Sequence, residues 1–121
     1  MGAFAKILLV SLRNHFRLKP KGRRASREII AFLREQGFAF RSVEVWMGVA
    51  EPSGLCCLVF FGEDAELARF ELARHLPTIT ARFREALAQT AYPAEAVSLV
   101  EVSVHSDEAI KRSGGYYPYF K

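Results

Sequence analysis

The first apolar segment of the chain fits either a strand or a helix. Residues 5–12 form an aliphatic run that is typical of a buried strand, and the strand is the leading prediction. The spacing of Phe4, Leu8, Leu12 and Phe16 instead favours an amphipathic helix. Both interpretations stay open because short apolar runs occur in both structures.

A helix is predicted to follow a basic loop. Residues 13–24 carry the loop signals, since Pro20 and Gly22 interrupt a run of cations. Ser26 is the predicted N-cap, and Gly37 stands where a helix commonly ends in a left-handed residue. The apolar face of this helix consists of Ile29, Ile30, Phe32 and Leu33.

Two strands joined by a turn are predicted next. Residues 38–49 alternate between apolar and polar side chains, and residues 51–54 have the composition of a turn. Residues 55–61 are apolar on both faces, which is typical of a central strand, and Gly62 ends them. The alternation places Val43, Val45, Met47 and Val49 on one face, and Ser42, Glu44 and Trp46 on the other.

A long helical stripe comes after the second of these strands. Asp64 is its predicted cap. Pro77 interrupts the stripe without shifting its phase, which predicts either a kinked helix or two nearly coaxial helices. The stripe consists of Ala65, Ala68, Leu72, Leu76, Ile79, Phe83 and Leu87.

A last strand and an aromatic tail close the chain. Residues 97–104 alternate, Ser106 begins a predicted short helix, and residues 113–115 end it. The strand has Val100, Val102 and Val104 on one face, and Leu99, Glu101 and Ser103 on the other.

The element order β-α-β-β-α-β predicts an α+β fold, an α/β sandwich with a ferredoxin-like antiparallel sheet and both helices on one face. A length of 121 residues fits one domain spanning the chain. The other face of the sheet would stay open unless a partner or the tail covers it.

The distribution of charge adds an asymmetry to this picture. Residues 1–36 carry nine basic and two acidic side chains, a net charge of +7, whereas residues 37–121 carry eight and eleven, a net charge of −3. The total of +4 therefore hides a bipolar field.

The cysteines and the N-terminus bear on location. Cys56 and Cys57 are adjacent, so on a strand they point to opposite faces and are badly placed to bridge each other. Reduced, inert packing thiols and a cytoplasmic protein are the expectation. The apolar run at residues 7–10 is too short to span a bilayer, and no targeting segment is predicted.

The leading functional hypothesis is a binding or regulatory module that acts through a protein–protein interface as a homodimer. Trp46 on a half-open polar sheet face is typical of an interface, and Glu44, Glu101, Ser103 and His105 are expected to share that face. The tail is too apolar to stay free, so it is expected to pack on its own domain or on a second subunit. The interface residues are predicted to be Trp46, Glu44, Tyr116, Tyr117, Tyr119 and Phe120.

Nucleic-acid binding is the alternative. Seven cations lie between positions 13 and 27 without an intervening acid, and Phe16 is placed to stack on a base. The same run of cations is also explained by a solvated loop, or by ion pairs with acidic side chains of the rest of the chain. The cations are Arg13, Arg17, Lys19, Lys21, Arg23, Arg24 and Arg27.

A small enzyme is the second alternative. A carboxylate can orient the imidazole of His105 for acid–base work, and Glu101, Asp107 and Glu108 are close to it in sequence. The alternative without a catalytic role is that these residues form a strand end followed by a helix cap. No metal site or cofactor is predicted, because His15, His75 and His105 lack ligand spacing and the cysteines do not form a Cys-x-x-Cys motif; His75 is expected at the surface.

Overall fold

Three strands form one mixed sheet in the computed structural model, which describes residues 2, 5, 6, 9, 12, 16–48 and 51–121. β1 (Ser42–Met47) pairs antiparallel with β2 (Leu55–Phe61), and β2 pairs parallel with β3 (Glu101–Ser106). The strand order is β1-β2-β3, so β2 is central, as its apolar composition predicts.

The described helices pack around this sheet, and the fold is of the predicted α+β class. A short 3₁₀ turn at Pro52–Gly54 precedes β2. The helices are α1 (Lys19–Glu35), α2 (Asp64–Leu72), α3 (Leu76–Ala88), α4 (Ala94–Val97), α5 (Asp107–Arg112) and α6 (Tyr116–Phe120).

The strand predicted over residues 5–12 is wrong where the structure describes that segment. Ala5, Lys6, Leu9 and Leu12 are helical, and the other positions of the segment lie outside the described residues. A short apolar run fits either element, and the described residues agree with the helix that the sequence left open as the alternative. With three strands described and β2 paired directly with β3, the ferredoxin-like order is not confirmed.

The predicted basic loop is also helical from Phe16 onward, apart from a turn at Leu18. Pro20 lies in the first turn of α1, where its missing N–H costs no helical hydrogen bond. Ser26 is therefore not an N-cap: it is buried inside α1 and donates a hydrogen bond to the carbonyl of Arg23 at 2.7 Å. Gly37 follows the helix with a φ of +73°, as predicted.

The main core lies between one face of the sheet and helices α1 and α3. The alternation predicted for β1 is confirmed at Val43, Val45 and Met47, which face this core, whereas Val49 lies outside the described residues. The other strands contribute Leu55, Cys57, Val59, Phe61, Val102 and Val104.

Gly22 explains how α1 approaches the sheet so closely. A Cβ at this position would lie 2.9 Å from Leu55 Cδ2 and 2.9 Å from Val45 Cγ1. Gly22→Ala is therefore expected to lower the free energy of unfolding by about 1–2 kcal/mol, although alanine is the better helix former. Urea unfolding measures this change. Arg24→Ala, at an exposed position of the same helix, is the matched control, and a stabilised Gly22→Ala protein would contradict the close approach.

The continuous stripe predicted across Pro77 is wrong in its first half. The helix breaks at residues 73–75, where Arg74 adopts a φ of +55°, and Pro77 lies in the first turn of α3. With the helix broken there, α2 presents a different side to the core from the one predicted: Phe70 is buried and Leu72 is 83% exposed. Asp64 begins α2 but makes no side-chain cap. The second half of the stripe is buried as predicted, at Ile79, Phe83 and Leu87.

The C-terminal elements lie beyond the last strand. Residues 94–97, partly assigned to that strand by the sequence, form α4 instead. The Ser106 hydroxyl accepts a hydrogen bond from the Ala109 N–H at 3.1 Å and caps α5 as predicted. The aromatic tail forms α6 on the second face of the sheet, where a smaller core contains Leu58, Phe60 and Ile110.

Candidate functional site

The C-terminal strap, residues 116–120 of α6, packs on the sheet of its own chain. The Phe120 ring centroid lies 5.0 Å from that of Trp46 and 4.9 Å from that of His105. Arg41 Nη2 donates to the Tyr116 hydroxyl at 2.6 Å. Of the two locations that the sequence left open for the tail, the structure has the one on its own domain.

The strap leaves part of the predicted interface accessible. Tyr117 is 79% exposed, and Trp46 is half-buried. Glu44 lies beside Trp46 and accepts hydrogen bonds from Trp46 Nε1 at 3.3 Å and from the Ser42 hydroxyl at 3.0 Å. The predicted interface residues thus come together on one face, with Tyr117 turned outward.

His105 lies under the strap without a carboxylate partner among the described residues. Its Nδ1 is 2.9 Å from the Tyr119 hydroxyl, and its Nε2 is 2.8 Å from the Ser103 hydroxyl. Asp107 accepts a hydrogen bond from Arg41 Nε at 2.7 Å instead. The acid–base pair expected from the sequence is therefore not formed in this arrangement.

The two remaining carboxylates considered for His105 make no hydrogen bond to its ring either. Glu108 accepts a hydrogen bond from the Asp64 N–H at 2.7 Å, which ties α5 to the start of α2. Glu101 is exposed on the same face of the sheet, but it lies four residues before His105 on β3. In the strand register it stands opposite Cys56 of β2, whereas His105 stands opposite Phe60.

Burial of His105 predicts a pH-dependent stability. Desolvation lowers the pKa of His105 below its ordinary value of 6.5, so the unfolded chain binds a proton at a pH where the folded chain does not. The stability that His105 contributes is complete above pH 6.5 and is lost as the pH falls from that value through the lower pKa of the folded chain. Urea unfolding on both sides of this pH measures the loss, and His105→Phe should remove it. Equal pH profiles for the two proteins would contradict this expectation.

The helical structure of the basic segment divides its cations between two sides of α1. Lys19 and Arg23 lie on the side of β1. Lys21 Nζ donates to the carbonyl of Ala91 at 3.1 Å, and Arg24 lies on the side of α3. Arg17 and Arg27 are exposed, and Arg13 lies outside the described residues. The run predicted as one nucleic-acid patch is thus split.

A groove between α1 and β1 brings two sequence candidates together. It has a volume of about 370 Å³. Two cations of the basic segment line it, as do both predicted interface residues of β1. The lining residues are Lys19, Arg23, Ser26, Val43, Glu44, Val45 and Trp46.

The outer edge of β1 opens into this groove. The Gly48 N–H donates to the Gly54 carbonyl at 2.8 Å, which fixes the phase of the antiparallel ladder. Because paired and unpaired positions alternate, the backbone groups of Ser42, Glu44 and Trp46 point towards β2. Those of Val43 and Val45 point away from the sheet, and no described strand pairs with them.

The remaining candidate residues make structural contacts. Cys57 is buried in the main core, where desolvation raises the pKa of its thiol to about 12, and Cys56 is half-buried on the strap face with a raised pKa for the same reason. Both are free thiols. His75, expected at the surface, is half-buried, and its ring lies 5.0 Å from that of Phe32.

The described residues contain neither a candidate metal cluster nor a candidate membrane-spanning helix. None of their histidine, cysteine, aspartate and glutamate side chains form a group of three or more that could hold a metal ion. No helix in this part of the chain combines the length and apolar character needed to cross a membrane.

Comparisons with protein-family models, curated proteins and solved structures gave no match to this chain.

Proposed function

We propose that this chain is a protein-binding module that adds an extended segment of a partner protein to the outer edge of β1. The observation that supports this most directly is the pair of outward-facing backbone positions, Val43 and Val45, beside an open groove. An exposed strand edge presents a row of donors and acceptors that another strand can satisfy. Trp46, half-buried at the same edge, supplies an aromatic contact of the kind enriched at protein interfaces.

Nucleic-acid binding has weaker support at the same place. Only two cations line the groove, together with the Glu44 carboxylate, whereas a nucleic-acid strand carries a phosphate at every nucleotide and is held by several such contacts. Lys21 and Arg24 do not reinforce the groove, because they lie on the far side of α1. A partner strand, in contrast, uses the backbone of β1 and does not require a continuous basic surface.

The proposal is tested by blocking the edge without disturbing the β1–β2 ladder. Val43→Pro removes an N–H that points away from β2, and proline is tolerated at such positions of edge strands. Selection of extended peptides from a phage-displayed random library against the wild-type chain is expected to yield binders that fail to bind Val43→Pro. Val43→Ala is the matched control, because it shortens the same side chain but keeps the N–H. Peptides that bind Val43→Pro as well as wild type would place the binding site elsewhere.

The homodimer predicted from the sequence remains a separate proposal. Light scattering coupled to size exclusion measures the mass of the chain over a range of concentrations. A dimer that Val43→Pro dissociates would assign the β1 edge to self-pairing, and a monomer at all concentrations would contradict the homodimer.

A further inference from the structure

We infer that the partner segment carries acidic and apolar residues in strict alternation, with its acidic side chains facing Lys19 and Arg23. This inference rests on the proposed addition of a strand to β1, and it goes further by naming the chemistry of the partner. Three features of the groove support it: the spacing of the two cations, their lack of an ionic partner among the described residues, and the different character of the opposite face.

The spacing of the cations matches the repeat of an extended chain. Lys19 and Arg23 are one helical step of four residues apart, which is about 6 Å along the axis of α1. Alternate residues of a strand are about 7 Å apart and point to the same face of the sheet. A strand added outside β1 would therefore present side chains i and i+2 to the two cations.

The two cations have no ionic partner within the part of the chain that the structure describes. Four other arginines each lie within 4.0 Å of a carboxylate. Lys19 and Arg23 make no such pair with any described residue. The four paired arginines are Arg41, Arg69, Arg82 and Arg112.

Lys19 and Arg23 are thus available to pair with carboxylates of an incoming segment. A second copy of this chain is a poor occupant, because β1 pairing with β1 would bring the Lys19 and Arg23 side chains of both copies to the same sheet face, where like charges repel. Carboxylates from a different protein meet the charge of the groove.

The opposite face of the added strand meets a different surface. Trp46 is half-buried there, and Glu44 accepts its indole N–H at 3.3 Å. An apolar side chain packs against the Trp46 ring, whereas an acidic one would face the Glu44 carboxylate. The two faces of the edge together favour a partner that alternates acidic with apolar residues.

The probe for this inference is the peptide acetyl-Glu-Val-Glu-Val-Glu-Val-Glu-Val-amide, with binding measured by calorimetry on the full chain. Two matched peptides accompany it: one with lysine in place of each glutamate, and one with the same composition arranged as a block of glutamates followed by a block of valines. The alternating acidic peptide is expected to bind about ten-fold more tightly than either, since two charge pairs and the strand register are lost in the others.

Charge reversal in the groove tests which residues recognise the acids. Lys19→Glu with Arg23→Glu is expected to weaken binding of the acidic peptide about ten-fold and to strengthen binding of the lysine peptide. Arg24→Glu with Lys111→Glu is the matched control, because it changes the net charge equally at exposed positions outside the groove. Equal losses in both double variants would overturn the assignment to Lys19 and Arg23.

The outcomes separate this inference from the proposed function. If Val43→Pro abolishes binding and charge reversal in the groove does not affect it, strand addition is supported and the acidic partner is overturned. If charge reversal abolishes binding and Val43→Pro does not, strand addition itself is overturned. A single-stranded oligothymidylate that binds through Lys19 and Arg23, with no binding of the acidic peptide, would overturn both in favour of nucleic acid.

N-methylated peptides keep the test decisive if Val43→Pro does not fold. Along an extended peptide, the N–H groups of alternate residues point to the same edge. Methylating the glutamate nitrogens and methylating the valine nitrogens therefore block opposite edges. One of these two peptides is expected to lose binding to the wild-type chain while the other retains it, and equal binding of both would overturn strand addition.

Discussion

Replacing Phe60 by alanine is expected to lower the free energy of unfolding by about 3–5 kcal/mol, the largest loss predicted for a single side chain of the strap face. Phe60 lies on the central strand and is fully buried. Its ring centroid is 5.6 Å from that of His105 and 5.9 Å from that of Tyr116. The guanidinium carbon of Arg41 lies 4.8 Å from the same centroid, so a cation–π contact is lost as well. A typical domain is stable by only about 5–15 kcal/mol, so this change removes a large part of the total.

Urea unfolding measures the Phe60→Ala loss, with two reference variants. Phe60→Leu fills most of the space and is expected to lose less than half as much. Tyr117→Ala removes an aromatic side chain that is 79% exposed, and it is expected to change the stability by about 0.5 kcal/mol or less. A loss below about 1 kcal/mol for Phe60→Ala would show that the strap does not pack on the sheet in solution.

Deleting residues 116–121 is expected to have the second largest effect, with a loss of about 2–4 kcal/mol and the onset of self-association. The deletion keeps the hydrogen bonds that end α5, because the Gly114 and Gly115 N–H groups donate to carbonyls of that helix. It removes the rings that cover Trp46, Phe60 and His105, which leaves a contiguous apolar patch.

Light scattering and the emission of Trp46 measure the effect of the deletion. Trp46 is the single tryptophan of the chain, and its ring centroid lies 5.0 Å from that of Phe120, so its emission is expected to shift to longer wavelength when the strap is removed. Tyr117→Ala is again the matched control. A truncated chain that stays monomeric with unchanged emission would contradict the covering role of the strap.

Sequence reasoning predicted the elements whose signals are local. The alternation over β1, the two-sided apolar character of β2 and the Ser106 cap each depend on neighbouring residues, and the structure confirms them. The exposure of Leu72 to solvent was not predictable in the same way. It depends on a break at residues 73–75, where Arg74 takes a left-handed conformation for which the sequence has no glycine signal.

The secondary structure of the N-terminal segment was not predictable for a different reason. A short aliphatic run fits a strand or a helix equally well, and tertiary context decides between them. Pro20 and Gly22 were interpreted as loop residues, yet one lies in the first turn of α1 and the other lets the helix approach Val45 and Leu55. Both roles become apparent only when the sheet is in place.

The candidate site was only partly foreseeable from the sequence for the same reason. That Trp46, Glu44 and the aromatic tail share one face follows from the period of the strands and from the apolar character of the tail. That Lys19 and Arg23 border the edge of β1 follows from the position of α1 and from the strand order. The position of α1 and the strand order are not encoded in the spacing of the residues themselves.

The adjacent cysteines make the two faces of the sheet separately observable by chemical modification. Cys56 packs with Leu58 and Trp46 beneath the strap side, whereas Cys57 is fully buried in the main core. Burial raises the pKa of both thiols and only the thiolate reacts, so the fully buried Cys57 is expected to be alkylated more slowly than the half-buried Cys56. The alkylation rate of Cys56 is therefore expected to follow the accessibility of the strap face, and that of Cys57 the opening of the main core. One labelling experiment on the native sequence thus resolves two levels of opening.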